Sequence, residues 1–434
     1  MSTSSLSSEL SSARRSYTQR NPISLLAYED ATKSLPGGGT RSSIFIHPFP
    51  LFIERGDGVD IIDLDGHSYK DFVSDFTSGI YGKTDPIIKE AIIKGLDNGT
   101  QLGGHTTTES KLASSICSRF PSVDLVRFAN SGTEANILAI SIALHHTKRK
   151  KVVVFKGGYH GSVLSHFGEE EKEKEAEGAN GGDLKVPYEY IVCPYNDISA
   201  TRSTVNRHVG EVGAIIVEPM LGAGGCIPGT IEFLRGLREL SDETGSILIF
   251  DEVQTARLST GGRQKILNII PDMTTLGKFF GGGFAFGAFG GKKDIMSLFD
   301  ARSPSSIAHG GTFNNSPLTM IAGLSAIESI LTEENLNKLN DLGDDMRNRL
   351  NDSFAKEELP FKMTGLGSVN QLHCLLSSET KKEGLELLFF YLLERGYWIA
   401  QRGLISLNFA MTELDVIGFE DSLIESARSV KGFS

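Results

Sequence analysis

A chain of 434 residues and 47.0 kDa is too long for one compact core, so two or three domains are expected. Its make-up, 39% hydrophobic and 22% charged with a net charge of −11, is that of an ordinary globular protein and lacks the basic face that nucleic acid or an anionic membrane requires. Four scattered cysteines (Cys117, Cys193, Cys226, Cys374) without a Cys-x-x-Cys pair argue against a disulfide framework or zinc ribbon, and no apolar run reaches the roughly 18 residues of a membrane span.

The N-terminus reads as a serine-rich polar tail followed by a helix over Leu25–Ser34 that stops at Leu-Pro-Gly-Gly-Gly. Arg14, Arg15 and Arg20 hint at a transit peptide. Glu9 and the lack of a clear amphipathic stripe favour a cytoplasmic protein instead. Arg41 follows the triple glycine. Phe52–Glu54 and Val59–Asp63 around Gly56-Asp57-Gly58 predict a hairpin, because the turn residues tolerate positive φ. From about Asp85, helices and short apolar strands alternate. Strands are predicted at Leu125–Phe128, Lys151–Phe155, Ala214–Val217 and Ile247–Phe250, and helices at Pro86–Asn98, Glu109–Arg119, Glu134–Leu144 and Ile231–Glu243. This alternation predicts an α/β fold with a mostly parallel central sheet covered by helices. The charged run Glu169–Lys185 has no apolar anchor and reads as a solvated excursion. Helices return at Leu318–Leu331, Leu336–Phe354 and Gly384–Arg395, with strands at Gln371–Leu376 and Leu404–Phe409.

Polar residues gather at the strand ends. Ile247-Leu-Ile-Phe delivers Asp251 and Glu252, and a second short strand delivers Lys278 into Gly281-Gly-Gly. Carboxylates at a strand tip mark the usual ligand crevice of an open α/β sheet. A lysine among small residues suggests an amine used for Schiff-base chemistry. Asp251 is equally readable as a helix cap or ion-pair partner, and facing a pyridine nitrogen it would keep that nitrogen protonated. Ser131-Gly132-Thr133 is either an ordinary N-cap or a phosphate cradle. Tyr159 is either a packed turn aromatic or a ring-stacking group, and His160 a local hydrogen-bonder. No dinucleotide fingerprint, phosphate-loop motif, Gly-x-Ser-x-Gly elbow or zinc helix is present, and no metal is expected.

Asn130-Ser-Gly-Thr-Glu-Ala135, Gly158-Tyr-His-Gly161, Val217-Glu-Pro219, Asp251-Glu-Val-Gln-Thr255 and Thr274-Thr-Leu-Gly-Lys278 occur together and in order. The set resembles the class III pyridoxal-phosphate aminotransferases. Thr40-Arg41-Ser, Pro48-Phe-Pro-Leu51, Gly225-Cys-Ile-Pro-Gly229, Gly311-Thr-Phe-Asn-Asn315 and Gln401-Arg402-Gly resemble their β-phenylalanine (β-amino acid) branch more narrowly. The resemblance implies a fold-type I transferase: a large cofactor domain over residues 76–325, and a small α+β domain built from residues 1–75 and 326–434. It implies a homodimer with its active site at the subunit interface, acting on small amino and keto acids.

Carried over residue by residue, it implies Lys278, Asp251 and Tyr159 as catalytic residues, with Lys278 in a Schiff base to pyridoxal 5'-phosphate and Asp251 at the ring nitrogen. Gln254 would lie near the ring hydroxyl, and Tyr159 and Val253 would sandwich the ring. Ser131, Gly132 and Thr133 would hold the phosphate, Thr312 would reach the phosphate of the neighbouring subunit's cofactor, and Glu218 would belong to the cofactor site. Arg41 would hold a β-amino acid carboxylate and Arg402 the α-carboxylate of the second substrate, with Phe76, Tyr81 and His105 lining the pocket. The implied reaction moves the amino group of an aromatic β-amino acid to an α-keto acid such as 2-oxoglutarate. The alternatives are a glutamate-1-semialdehyde 2,1-aminomutase, an ω-amine transaminase, and an inactive cofactor-binding scaffold.

Overall fold

In the computed structural model, residues 3–166, 188–378 and 380–431 are described, and the charged run 169–185 lies outside them. The chain forms two compact units, one from Met1–Asp85 and Lys338–Ser434, the other from Pro86–Asn337.

The second unit is built on a seven-stranded sheet. Its strands lie in the order Leu125–Ala129, Gly287–Gly291, Met273–Gly277, Ile247–Asp251, Val212–Val217, Lys151–Phe155 and Glu189–Cys193. All pairings are parallel except those of Gly287–Gly291, which runs antiparallel to both neighbours. The strands are apolar throughout because both faces are covered, and alternate side chains enter different cores. Val152, Val154, Ile216 and Ile249 join one core with Ala135, Ala139 and Ala143 of helix Gly132–Thr147. Val153, Phe155, Ile215, Leu248 and Phe250 join the other with Phe233, Leu237 and Leu240 of helix Ile231–Thr244. Each fully buried Val, Ile, Leu or Phe among them contributes roughly 1.5–3 kcal/mol, so these two layers hold the strand ends rigidly.

Gly287–Gly291 was not expected as a strand, since glycine is depleted in strands. Its glycines are explained by crowding. A Cβ at Gly287 would lie 2.1 Å from the Ser131 carbonyl oxygen, and one at Gly291 would lie 2.5 Å from the Asp272 carbonyl oxygen. Backbone approaches the strand too closely for side chains there.

In the first unit, both terminal segments meet in one sheet, where Tyr397–Trp398 pairs in parallel with Ser68–Asp71 beside the predicted hairpin Ile53–Asp57/Asp60–Asp63. A three-stranded antiparallel sheet combines Phe361–Leu366, Val369–Cys374 and Leu404–Ser406, so the last of these stops short of the expected Phe409. The expected polar tail is instead a helix, Thr3–Arg20. Leu6, Leu10, Ala13 and Tyr17 form a buried stripe at spacings of four, three and four. Opposite them on helix Lys381–Glu394 stand polar partners: Ser7 donates to Glu383, Arg14 pairs with Glu386, Ser16 donates to Glu394, and Tyr391 donates to Glu9. Serines between the apolar positions hide this stripe from a composition reading. Among the described residues, no helix is long and apolar enough to cross a membrane.

Candidate active site

The carboxyl ends of the parallel strands in the second unit open on one edge, and the sequence-predicted residues emerge there. Asp251 ends its strand and is 4% exposed. Its Oδ2 accepts from Asn136 Nδ2 at 2.7 Å and lies 2.7 Å from His160 Nδ1, while Oδ1 accepts from the Val253 N–H at 3.0 Å. Asn136 also donates to the His160 carbonyl oxygen, and its Oδ1 accepts from Thr275 Oγ1 at 2.6 Å. A buried carboxylate is therefore fixed by groups from a helix, from the turn carrying His160 and from the turn that follows its own strand. His160 is fully buried. Burial pushes its pKa down, but the hydrogen bond and charge of Asp251, with the charge of Glu218, outweigh this and hold it above its usual value.

Lys278 follows the strand Met273–Gly277 and adopts φ 54°, at the head of a short 3₁₀ turn. Glycine contacts show what surrounds it. A Cβ on Gly277 would lie 3.3 Å from the Gly132 Cα and 3.3 Å from Val253 Cγ1, and one on Gly132 would lie 3.0 Å from both Val253 methyls. The strand end carrying Lys278, the start of helix Gly132–Thr147 and Val253 are thus in mutual contact.

Ser131 caps that helix, accepting the Glu134 N–H at 3.1 Å, and Glu134 turns back to accept the Asn130 N–H at 2.8 Å. This reciprocal cap is the ordinary reading of the motif. It also leaves the N–H groups of Gly132 and Thr133 at the positive end of a 16-residue helix. The Tyr159-His160-Gly161 turn abuts them, since a Cβ on Gly161 would lie 2.3 Å from Thr133 Oγ1.

Tyr159 is 43% exposed, and its N–H donates to Glu218 Oε1 at 2.8 Å. Glu218 also accepts the Gly222 N–H at 3.0 Å, and Gln254 lies against Gly222. Burial pushes the Glu218 carboxyl up to about 7; the charge of His160 opposes this and that of Asp251 adds to it. A raised carboxyl binds more protons folded than unfolded, so its stability contribution is full below about 4.5 and is lost as pH rises through about 7. For the cofactor-free protein, melting temperature should fall more steeply between about pH 5 and pH 7 in the wild type than in Glu218→Gln. Parallel melting curves would refute the assignment.

Thr312 stands in an exposed stretch, tied down by Asn314, whose Oδ1 accepts from Asn130 Nδ2 at 2.9 Å. In the first unit, Arg41 pairs with Asp75 at 2.7 Å, and Arg41 and Arg402 lie 5.6 and 5.4 Å from the centroid of one ring, Phe76. Tyr81 is buried, whereas the His105 side chain is 97% exposed. Glu252 has a structural part: fully buried, it accepts the N–H groups of Arg263 and Gln264, each at 2.9 Å, at the start of helix Gly262–Leu267.

Asn136 was not singled out from the sequence. The available signal was one amide within the otherwise apolar run Ala135, Ala139, Ile140 and Ala143.

A buried carboxylate, an aromatic face, a helix N-terminus and a lysine on a strand end suit a phosphorylated pyridine aldehyde. Residues 45–414 match the aminotransferase class-III family. The chain is 42% identical over 424 residues to the β-phenylalanine transaminase of Variovorax paradoxus, covering 96% of this chain and 95% of that one. The crystal structure of a β-phenylalanine aminotransferase from that organism superposes with a TM-score of 0.92 at 40% identity, covering 97% of each chain. A glutamate-1-semialdehyde 2,1-aminomutase of Methanopyrus kandleri is 34% identical over 430 residues, covering 96% of this chain and 100% of that one. The chain belongs to the class-III aminotransferases, enzymes of the fold-type I group that use pyridoxal 5'-phosphate.

Proposed function

We propose that the enzyme transfers the amino group of an aromatic β-amino acid, such as β-phenylalanine, to an α-keto acid such as 2-oxoglutarate. The observation that carries this substrate reading is the convergence of Arg41 and Arg402 on Phe76. Two guanidiniums beside one aromatic ring suit substrates that carry a carboxylate next to an aryl group or a second carboxylate. The 42% identity to a β-phenylalanine transaminase supports the same choice.

When bound, pyridoxal phosphate supplies an aldehyde carbon that takes up the amine and a ring that withdraws electrons from the adjacent carbon. In this reading Lys278 is the covalent attachment point. Once the substrate amine takes its place, the freed Nζ would take the proton from the amine-bearing carbon and hand it to the carbon of the former aldehyde, so that the amino group changes carrier. Asp251, pinned by Asn136 and His160, would supply a carboxylate to the ring nitrogen. Ser131, Gly132 and Thr133 would hold the phosphate, Tyr159 and Val253 would flank the ring, and Gln254 would meet its hydroxyl. Glu218 fixes the backbone that carries Tyr159. Arg41 takes the β-amino acid carboxylate and Arg402 the α-carboxylate of the keto acid.

Thr312 serves the phosphate held by a second copy of this chain. That homodimer is supported by the exposure of Thr312 and by Phe313 beside it, 58% exposed. The compartment we favour is the cytoplasm, in keeping with four cysteines that are all free thiols.

The aminomutase and ω-amine readings differ in their donors. With β-phenylalanine and 2-oxoglutarate the enzyme should form glutamate, faster than with an amine lacking a carboxylate. No glutamate from any β-amino acid, together with turnover of glutamate 1-semialdehyde, would reverse the choice.

A further inference from the structure

Residues Ser74, Asp75, Phe76 and Thr77 pass through left-handed backbone without a glycine, at φ 47°, 46°, 53° and 76°. In that region Cβ crowds the following carbonyl oxygen, so such residues normally occur singly. Four in succession persist only where the surroundings over-determine them, and such outliers gather at functional sites. Here the surroundings do so. Asp71 Oδ1 accepts the N–H groups of Val73 and Ser74 at 2.8 and 3.0 Å, and Asp71 is itself paired with Lys83. Ser74 Oγ donates to the Ser406 carbonyl oxygen at 2.9 Å and accepts from Asn408 Nδ2 at 3.0 Å. The Gly79 N–H closes the turn on the Ser74 carbonyl oxygen at 2.8 Å.

The turn presents two side chains to two arginines that lie far apart in sequence. Asp75 Oδ1 holds Arg41 Nη1, and Asp75 Oδ2 accepts from Ser78 Oγ at 3.0 Å. The Phe76 ring faces the guanidinium carbons of both Arg41 and Arg402. That ring lines a cavity of about 190 Å³ with Arg402, Trp398 and Phe389, so dense packing does not fix it on every side.

We propose that the left-handed turn Ser74–Thr77 is the positioning element for both carboxylate-binding guanidiniums, Asp75 orienting Arg41 and Phe76 serving as the common platform for Arg41 and Arg402. This rests on the substrate roles given above to the two arginines. The Asp75 ion pair uses Nη1 alone, so it orients the guanidinium while leaving its other edge for a substrate carboxylate. Asp75 and Phe76 are positioning residues, and their loss should act on binding and not on the proton transfers of Lys278.

The test is steady-state kinetics of the holoenzyme with β-phenylalanine and 2-oxoglutarate as varied substrates. Asp75→Asn should raise KM for the β-amino acid about threefold to tenfold, as expected for a lost charge-assisted contact, with kcat and the keto-acid KM unchanged. Phe76→Leu should raise both KM values, and Phe76→Tyr should restore them. Unchanged KM values in Asp75→Asn and Phe76→Leu, with cofactor absorbance and melting temperature retained, would overturn the proposal. So would a fall in the donor KM of Asp75→Asn, because Asp75 would then be a competitor for Arg41. Arg41→Ala separates the layers. If it leaves the donor KM unchanged, the substrate role of Arg41 fails; if it raises that KM while Asp75→Asn does not, only the present inference fails. Should Asp75→Asn not fold, Ser78→Ala, which removes the hydroxyl bonded to both the carboxylate and the carbonyl oxygen of Asp75, should raise the donor KM in the same direction, and no change would count against the proposal.

Discussion

Lys278→Ala should abolish transamination, with kcat lowered by at least about 10⁴-fold, because in the proposed reaction one amine serves as attachment point and proton carrier. The purified protein should also lose the visible colour of its cofactor. The surroundings make this loss hard to offset. The strand end at Gly277 packs on Gly132 and Val253, and the backbone at Lys278 is committed to φ 54°. Lys278→Arg should fare no better, since a guanidinium stays protonated and cannot act as a nucleophile. A Lys278→Ala enzyme retaining more than about a hundredth of wild-type kcat would remove Lys278 from the reaction, as a positioned acid–base group alone is worth about 10²–10⁴-fold.

Asp251→Asn should lower kcat by roughly 10²–10³-fold, the usual cost of removing one preorganised charge from a site. It should leave cofactor colour in place, because Lys278 and the start of helix Gly132–Thr147 are untouched. The substitution is nearly isosteric, so its effect reports charge. It also removes the charge and hydrogen bond that hold the His160 pKa up against burial. The His160 pKa should then fall, with only the charge of Glu218 left to oppose burial. Absorbance at full cofactor occupancy, with kcat measured on the same sample, separates this outcome from simple cofactor loss. Wild-type kcat in Asp251→Asn would mean that the carboxylate only braces Asn136 and His160.

The parts of the fold that were legible in the sequence are those where a single physical demand sets the residues. Strands buried on both faces must be apolar, so Lys151–Phe155 and Ile247–Phe250 stand out, and Asp251 at the end of the second marks the crevice edge. Lys278 stands out in the sequence because it follows a short strand and runs into three glycines. The mixed sheet was only partly legible, since Gly287–Gly291 is shaped by backbone crowding from Ser131 and Asp272, neither near in sequence. Helix Thr3–Arg20 was hidden because serines fill the gaps of its apolar stripe and its polar partners lie more than 370 positions away.

The candidate site was legible in its first layer and not in its supports. His160 looked like a local hydrogen-bonder, yet its partner Asp251 is 91 positions off; Asn136 reads as one more residue of an apolar helix. Nothing in Ser-Asp-Phe-Thr announces left-handed backbone, because the contacts that enforce it come from Asp71, Ser406 and Asn408. Glu252, adjacent to Asp251 and equally acidic, shows the converse. Only the structure separates a carboxylate aimed at the crevice edge from one that caps a neighbouring helix.

In the proposed site the stretch Ile247–Gly283 holds pyridoxal phosphate with Lys278 as its covalent anchor. Borohydride reduction of the yellow holoenzyme followed by peptide mass spectrometry tests it directly. One phosphopyridoxyl group per chain, on the peptide containing Lys278, is the expected result. Incorporation at another lysine, or none into a coloured protein, would contradict it.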